Sequence, residues 1–305
     1  VYKRQDQDQA DPAHHQRRRQ RPGADHVRAR EAGDRDGEAA QADQDLGVGL
    51  HGRDLVTEVL DQLDRLVGEL SSRWSVTGVG LAIAGFLTRD RTTVRFAPHL
   101  PWREARVADE MSARVGLPVF AEHDANAAAV AEWRFGAAGR GHNSLVLAIG
   151  TGIGAGLVLD GRLYRGSHGV APELGHLVVV PGGRPCSCGK RGCWERYCSG
   201  TALVDTVVEL LADGEWGRSP LASELAADPG SITGRRIAAA AHEGDPLALS
   251  AFASFAASLG QGLAMVADVF DPDLIVIAGG VGRASALYLD DAREHYAAML
   301  SLIHI

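Results

Sequence analysis

All four cysteines of this 305-residue chain lie close together: Cys186, Cys188, Cys193 and Cys198. In the stretch HLVVVPGGRPCSCGKRGC, His176 is followed after nine residues by a Cys-x-Cys pair, and after four more by a third cysteine. One imidazole and three thiolates make a donor set for tetrahedral zinc. Gly189 and Gly192 let the chain fold tightly around such an ion. Four protein ligands leave no open coordination position, so the site is expected to be structural. The competing reading is two disulfides, which suits an exported chain, and nothing here signals export. Cys198, entering a helix, is expected to be a free core thiol. Glu173 precedes His176 by three residues and Glu195 follows Cys193 by two. A closed metal loop would therefore pin both carboxylates beside one imidazole.

A second group of acids stands apart from the cysteines. Glu122, His123 and Asp124 end a short strand just before an Ala-rich helix. An Asp in that position is first an N-cap, worth about 1 kcal/mol of helix stability. It is also where a general base for phosphoryl transfer belongs, if a phosphate-cradling turn lies opposite. Three glycine turns follow strands, at Gly85, Gly150–Gly156 and Gly279–Gly282. None carries the GK[ST] of a Walker A loop or a GxGxxG opening a helix. GTGIGAG lies between two strands instead, so its N–H groups could hold a phosphate at a hairpin tip. Three such turns in one chain point toward a nucleotide.

These groups need a scaffold, and the sequence supplies one from Asp54 onward. DLVTEVLDQLDRLVGEL sets Leu55, Val59, Leu63 and Leu66 on one helical face, and VTGVGLAIAGFL reads as a buried strand ending at Gly85. A strand over 117–123, a helix over 124–136, and a strand, glycine turn, strand and hairpin over 144–166 follow. Helices are predicted near 201–212, 235–242 and 246–268, then an apolar strand over 273–282. This is α/β texture with a sheet buried on both faces. Residues 1–53 differ, with ten bases, ten acids, seven of the nine glutamines and no apolar period. Such a segment is not expected to pack. The excess of Arg over Lys reads as GC-rich coding DNA. The net charge of −8 argues against a nucleic-acid binder, and no apolar run reaches the roughly 18–20 residues of a membrane span.

On these residues the chain resembles the ROK family of bacterial sugar kinases and sugar-responsive repressors, most closely its actinobacterial glucokinase type, over roughly 55–300. EHDANAAAVAEWRFGAA is similar to the catalytic segment, GTGIGAG to the second phosphate loop, and VAPELGH with CSCGKRGCWE to the family signature. The resemblance implies an actin/hexokinase-like (RNase H-like) pair of α/β domains with a small zinc-binding insertion. It further implies that Asp124 takes the proton of the sugar 6-hydroxyl. Gly85, His99, His123, Asp124, Glu173, His176 and Glu195 would bind sugar. Gly150, Thr151, Gly152, Gly154, Gly279 and Gly280 would hold ATP. His176 would also bind zinc with Cys186, Cys188 and Cys193, the metal orienting a sugar ligand.

The implied reaction converts glucose and ATP, with Mg²⁺, to glucose 6-phosphate in the cytoplasm. Mannose, N-acetylhexosamines and a polyphosphate donor are variants of it. A homo-oligomer, dimer or tetramer, is expected, without membrane or nucleic-acid partners. The expected organisation is a non-native or disordered segment 1–53, an N-terminal domain remnant 54–140, and a truncated C-terminal domain 141–305 with a zinc knuckle over 173–198. His123 and His99 stand where the family usually carries Asn, and both still donate hydrogen bonds. The DxGGTK-like first phosphate loop is absent from 1–53, which reads as an out-of-frame translation. Two other functions compete. A sugar-responsive repressor would need roughly 60–80 upstream residues of winged helix-turn-helix, and such repressors commonly lose the catalytic Asp. The chain as written could also be an inert kinase fragment.

Overall fold

A computed structural model describes residues 52–97, 100, 102–139, 141–214, 216–230 and 232–300. Most of the segment expected to be non-native, residues 1–51, lies outside the described residues; Gly52 and Arg53 open the first helix. That helix, α1 (Gly52–Ser71), buries Leu60 and Val67, with Val56, Val59 and Leu63 packed beside them. The spacing 56, 60, 63, 67 is the true 3.6-residue stripe. Leu66, placed on that stripe from sequence, lies off it and is 52% exposed. The side chain of Leu55 lies outside the described residues.

The stretch 76–87 is not one buried strand. It divides into β1 (Val79–Ile83) and β2 (Phe86–Leu87), with Gly85 in the bend between them. Of β1 only Ile83 is buried, because among the described residues β1 has one neighbour, the parallel β5 (Val119–His123), and helices on one face. β2 pairs with β3 (Val94–Phe96), and β3 with β4 (Arg103–Ala105), in a small antiparallel sheet. Helix α2 (Val107–Val115) ends at Gly116, whose φ of 66° makes the left-handed C-cap. Ile83, Leu87, Val94, Trp102, Met111 and Ala121 join α1 in one apolar cluster.

The second cluster is larger. β6 (Ser144–Ile149), β7 (Ile153–Leu159), β8 (Arg162–Tyr164) and β9 (Leu274–Ala278) form a sheet in the order β8-β7-β6-β9, with β6 and β9 parallel. Its central strands are buried on both faces, as expected. On one face lies α3 (Asp124–Phe135), which approaches so closely that a Cβ on Gly156 would overlap Ala125 and Ala129. Small residues on both sides permit that contact. The other face carries α4 (Gly200–Asp213), α5 (Pro220–Ala227), α6 (Gly234–His242) and α7 (Pro246–Phe270). Helix α8 (Leu289–Met299) follows β9 and packs on α7. The short α5 was not anticipated from sequence.

Helix α7 corrects one expectation. By length and composition it is apolar enough to cross a membrane. Here it is a core helix, burying Phe252, Phe255, Leu259 and Leu263 within the second cluster. Its Gly262 lies against the indole of the fully buried Trp194, and a Cβ there would fall inside the ring. At its start, Asp245 accepts N–H bonds from Leu247 and Ala248, the N–H of Leu221 in α5 and the Ser219 hydroxyl, at 2.8–3.0 Å.

Two predictions follow from these contacts. Asp245→Ala strands several buried donors at once and is expected to cost about 3 kcal/mol in urea unfolding at pH 7. Burial works against ionisation of Asp245, but the Leu221 and Ala248 amides outweigh it and hold its pKa low. Its contribution is therefore present above the unfolded carboxyl value near ~3.9 and is lost as pH falls through the lower folded value. Asp245→Asn should flatten that acid dependence. Gly262→Ala should lower stability by about 1–3 kcal/mol by displacing Trp194. A melting temperature equal to that of the wild type would contradict this packing.

Candidate active site and metal centre

The cysteine loop is a compact double turn. The Gly192 carbonyl accepts the N–H groups of Val179 and Val180, and the Lys190 carbonyl accepts that of Cys186. Gly192 has φ of 80°, and a Cβ there would overlap the Val180 carbonyl, so only glycine closes this turn. All four cysteines are free thiols. Cys188 Sγ and Cys193 Sγ stand 3.6 Å apart, far beyond the roughly 2.05 Å of a disulfide, so the two-disulfide alternative does not hold. Cys186 Sγ lies 3.6 Å from His176 Nδ1. Ligand atoms of His176, Cys186, Cys188 and Cys193 all fall within 4.8 Å of one another. A tetrahedral ion about 2.3 Å from each sulfur sets the sulfurs about 3.8 Å apart, so the donors fit. Cys198 is outside this group, and burial pushes its thiol pKa well up.

The imidazole of His176 has two functional sides. Nδ1 faces Cys186 and lies 3.4 Å from Glu195 Oε1. Nε2 faces away, 4.0 Å from Glu173 Oε2. Burial raises the Glu173 pKa to about 7, with the charges of Glu195 and Asp124 adding to it. Glu195 also accepts the Cys186 thiol at 3.1 Å. The loop thus brings both carboxylates to one histidine.

Asp124 is the first residue of α3, and the N-cap position belongs to His123, whose side chain makes no capping bond. Asp124 Oδ1 takes only the neighbouring Ala125 N–H, at 2.8 Å, and lies 3.3 Å from His123 Nε2. The capping role ordinarily expected of such an Asp is therefore unfilled. The side chain is half exposed at the positive end of the helix dipole.

Two cavities meet at the glycine turn. One, of about 450 Å³, is lined by Asp124, Gly150–Gly154, Glu195 and Gly279. The other, of about 770 Å³, shares Gly150 and Thr151 and extends past Gly280, Arg235, Arg283 and His242. That volume suits a drug-sized or nucleotide-sized ligand. Gly279 has φ of 91°, and a Cβ there would strike the Ile149 backbone. A Cβ on Gly152 would meet only the end of the Glu195 side chain, which can swing aside. Gly85, His123 and Glu173 line a separate narrow cleft with Asn126 and Gly169. His123 and Asp124, adjacent in the chain, connect that cleft to the wide cavity. His99 lies outside the described residues.

Sequence reasoning missed part of the larger cavity. Helices α4 and α6 both begin there, at Gly200 and Gly234, capped by Ser199 and Thr233. The Gly200 N–H donates to the Gly150 carbonyl at 2.7 Å, which ties α4 to the phosphate-loop candidate. A Cβ on Gly234 would crowd the Gly200 backbone, so the two helix starts stack. Their Ser-Gly and Thr-Gly pairs were the available signal. Nothing local marks Arg235 or Arg283.

Comparison with known proteins matches this arrangement. The ROK family profile matches residues 34–302. A glucokinase of Streptomyces coelicolor is 41% identical over 223 residues, covering 72% of this chain and 70% of that one. A Streptomyces griseus ROK glucokinase, solved with glucose and AMPPNP, superposes with a TM-score of 0.69 at 39% identity, covering 80% and 78%. A ROK transcriptional regulator, a homologue of the E. coli MLC protein, superposes with a TM-score of 0.73 at 30% identity, covering 83% of this chain and 62% of that one. The extent of the profile match and the identity to these relatives establish that the chain belongs to the ROK family.

Proposed function

We propose that this chain catalyses ATP-dependent phosphorylation of the glucose 6-hydroxyl, giving glucose 6-phosphate and ADP. The observation that carries the reading is one cavity whose wall gathers Asp124, Glu195 and the Gly150–Gly154 turn. A carboxylate facing a phosphate-cradling turn is the arrangement phosphoryl transfer needs. The relatives support the substrate pair, since one is a glucokinase and another was solved with glucose and an ATP analogue.

Asp124 accepts the 6-hydroxyl proton as that oxygen attacks the γ-phosphorus and the bond to the β-phosphate oxygen breaks. Its carboxylate is available because, among the described residues, its one backbone partner is Ala125. The N–H groups of the 150–154 turn and the starts of α4 and α6 face the phosphate chain. Arg235 and Arg283 add positive charge to the nucleotide cavity. Mg²⁺ bound with the nucleotide would supply neutralisation of the charge that develops on the departing ADP. Glu195, Glu173 and His176 Nε2 accept or donate to sugar hydroxyls and hold the ring. His176, Cys186, Cys188 and Cys193 would hold a zinc ion, which would fix the loop that carries Glu195 and the tautomer of the histidine.

The regulator's higher TM-score favours a second reading, a sugar-responsive repressor. It gives no role to a base at Asp124. A gel shift with DNA flanking the gene, beside a kinase assay, separates the two.

Asp124→Asn should lower kcat by about 10²–10⁴-fold while glucose Kd, read by calorimetry, changes little. Equal losses of binding and turnover would refute the base assignment. Elemental analysis should find about one zinc per chain, because the loop supplies one four-donor set. Cys188→Ser should lose most of it, and Cys198→Ser should keep it. Chelation should weaken glucose binding, since the metal loop carries Glu195.

A further inference from the structure

Glu122 lies two residues before Asp124 and has no part in the mechanism above. It is nevertheless the most heavily bonded carboxylate in this region. Its Oε2 accepts from Arg165 Nη2 at 2.6 Å and Nε at 3.1 Å, and lies 3.5 Å from Arg91 Nη1. Its Oε1 accepts from Asn126 Nδ2 and from the His123 backbone N–H. The carboxylate is four-fifths covered. Burial opposes its charge, but the Arg165 hydrogen bonds and charge outweigh that and keep its pKa low.

These bonds join three segments far apart in sequence. Arg91 belongs to the β2–β3 connection, Glu122 and Asn126 to the β5–α3 corner, and Arg165 to the residue just after β8. The chain from Arg165 closes on itself, with the Ala171 N–H donating to the Arg165 carbonyl at 3.2 Å. Two residues later it delivers Glu173. At Gly169 the same loop lies against the β2–β3 connection so tightly that a Cβ would meet Arg89 Cα at 2.9 Å. The narrow cleft lined by His123, Asn126 and Glu173 lies between the two sides so joined. Asn126, 2% exposed, keeps an Oδ1 with no donor among the described residues. Its other amide atom is spent on Glu122.

We infer that Glu122 and Arg165 form a positioning strap, steadied by Arg91, that sets the distance between the Asp124–Asn126 corner and the Glu173 loop and so the fit of the sugar. The inference rests on the sugar-kinase reading for its ligand, and on the ion pair for its mechanism. A bidentate guanidinium–carboxylate pair is directional, so it fixes an angle as well as a separation. The donor cavity shares none of the three segments.

The test is a kinetic double-mutant cycle with Glu122→Gln, Arg165→Met and the double variant, in the full chain. Each single variant should raise the glucose KM about tenfold, leave the ATP KM unchanged and alter kcat less than about threefold. The double variant should be no worse than the worse single, because one interaction is lost either way. Arg165→Lys, which keeps the charge and loses the fork, should fall between wild type and Arg165→Met. Additive effects, an unchanged glucose KM, or parallel changes in both KM values would overturn the strap. Trypsin provides a readout that needs no activity: cleavage after Arg165 should be slow in the wild type and faster in Glu122→Gln. A wild-type chain that does not phosphorylate glucose would sink the kinase reading, while equal cleavage of the two proteins would sink the strap alone.

Discussion

The indole of Trp194 pressed against Gly262 is the contact on which the candidate site depends most. Trp194 stands between Cys193, a metal donor, and Glu195, which lines the reaction cavity. It is fully buried, and its Nε1–H donates to the Ser258 carbonyl at 2.8 Å. Gly262 and Ser258, the two groups the indole meets, both lie on α7, the longest helix among the described residues and the centre of the larger core. The loop 176–193 is thereby referenced to a rigid element. Arg184 adds a second clasp. It forks onto Glu209 in α4, bonds the Thr206 hydroxyl and the Arg196 carbonyl, and lies over the Tyr197 ring.

The two ends of the cavity system are opposite in charge. The acceptor side carries Asp124, Glu173 and Glu195 within one neighbourhood, close enough that two of these charges help to raise the pKa of the third. Carboxylates suit sugar hydroxyls, which donate hydrogen bonds and carry no charge of their own. They also repel a phosphorylated product. Among the described residues the wall of the larger cavity has no carboxylate and offers Arg235, Arg283, His242 and two helix starts instead. Under the proposed function, that gradient sorts a polyanionic donor from a neutral acceptor before any specific contact forms.

Much of this was legible locally. The spacing His176, Cys186, Cys188, Cys193 named the donors, because metal ligation within one short loop is a property of a short string of residues. Strand β6, the turn and β7 were legible for the same reason, a continuous apolar run broken by glycines. Helix α1 was recognised but its buried stripe was shifted, since Leu66 and Val67 are adjacent and only the tertiary packing of the helix decides which of the two is covered. The stretch 76–87 looked fully buried because Val, Leu and Ile dominate it, yet burial depends on which neighbours cover a strand.

What the sequence by itself determined was the set of chemical groups and the local turns that present them: three thiols and an imidazole in one loop, an Asp at a helix start, and glycines where no Cβ fits. Only the tertiary structure decided which groups face one another. It set Asp124 and Gly150–Gly154 in the wall of one cavity, brought the starts of α4 and α6 to that turn, and joined Glu122 to Arg165 across 43 residues of chain. The reason is that propensity, capping and glycine geometry act over a few residues. A hydrogen bond between distant segments exists only after burial of two separate cores has brought those segments together.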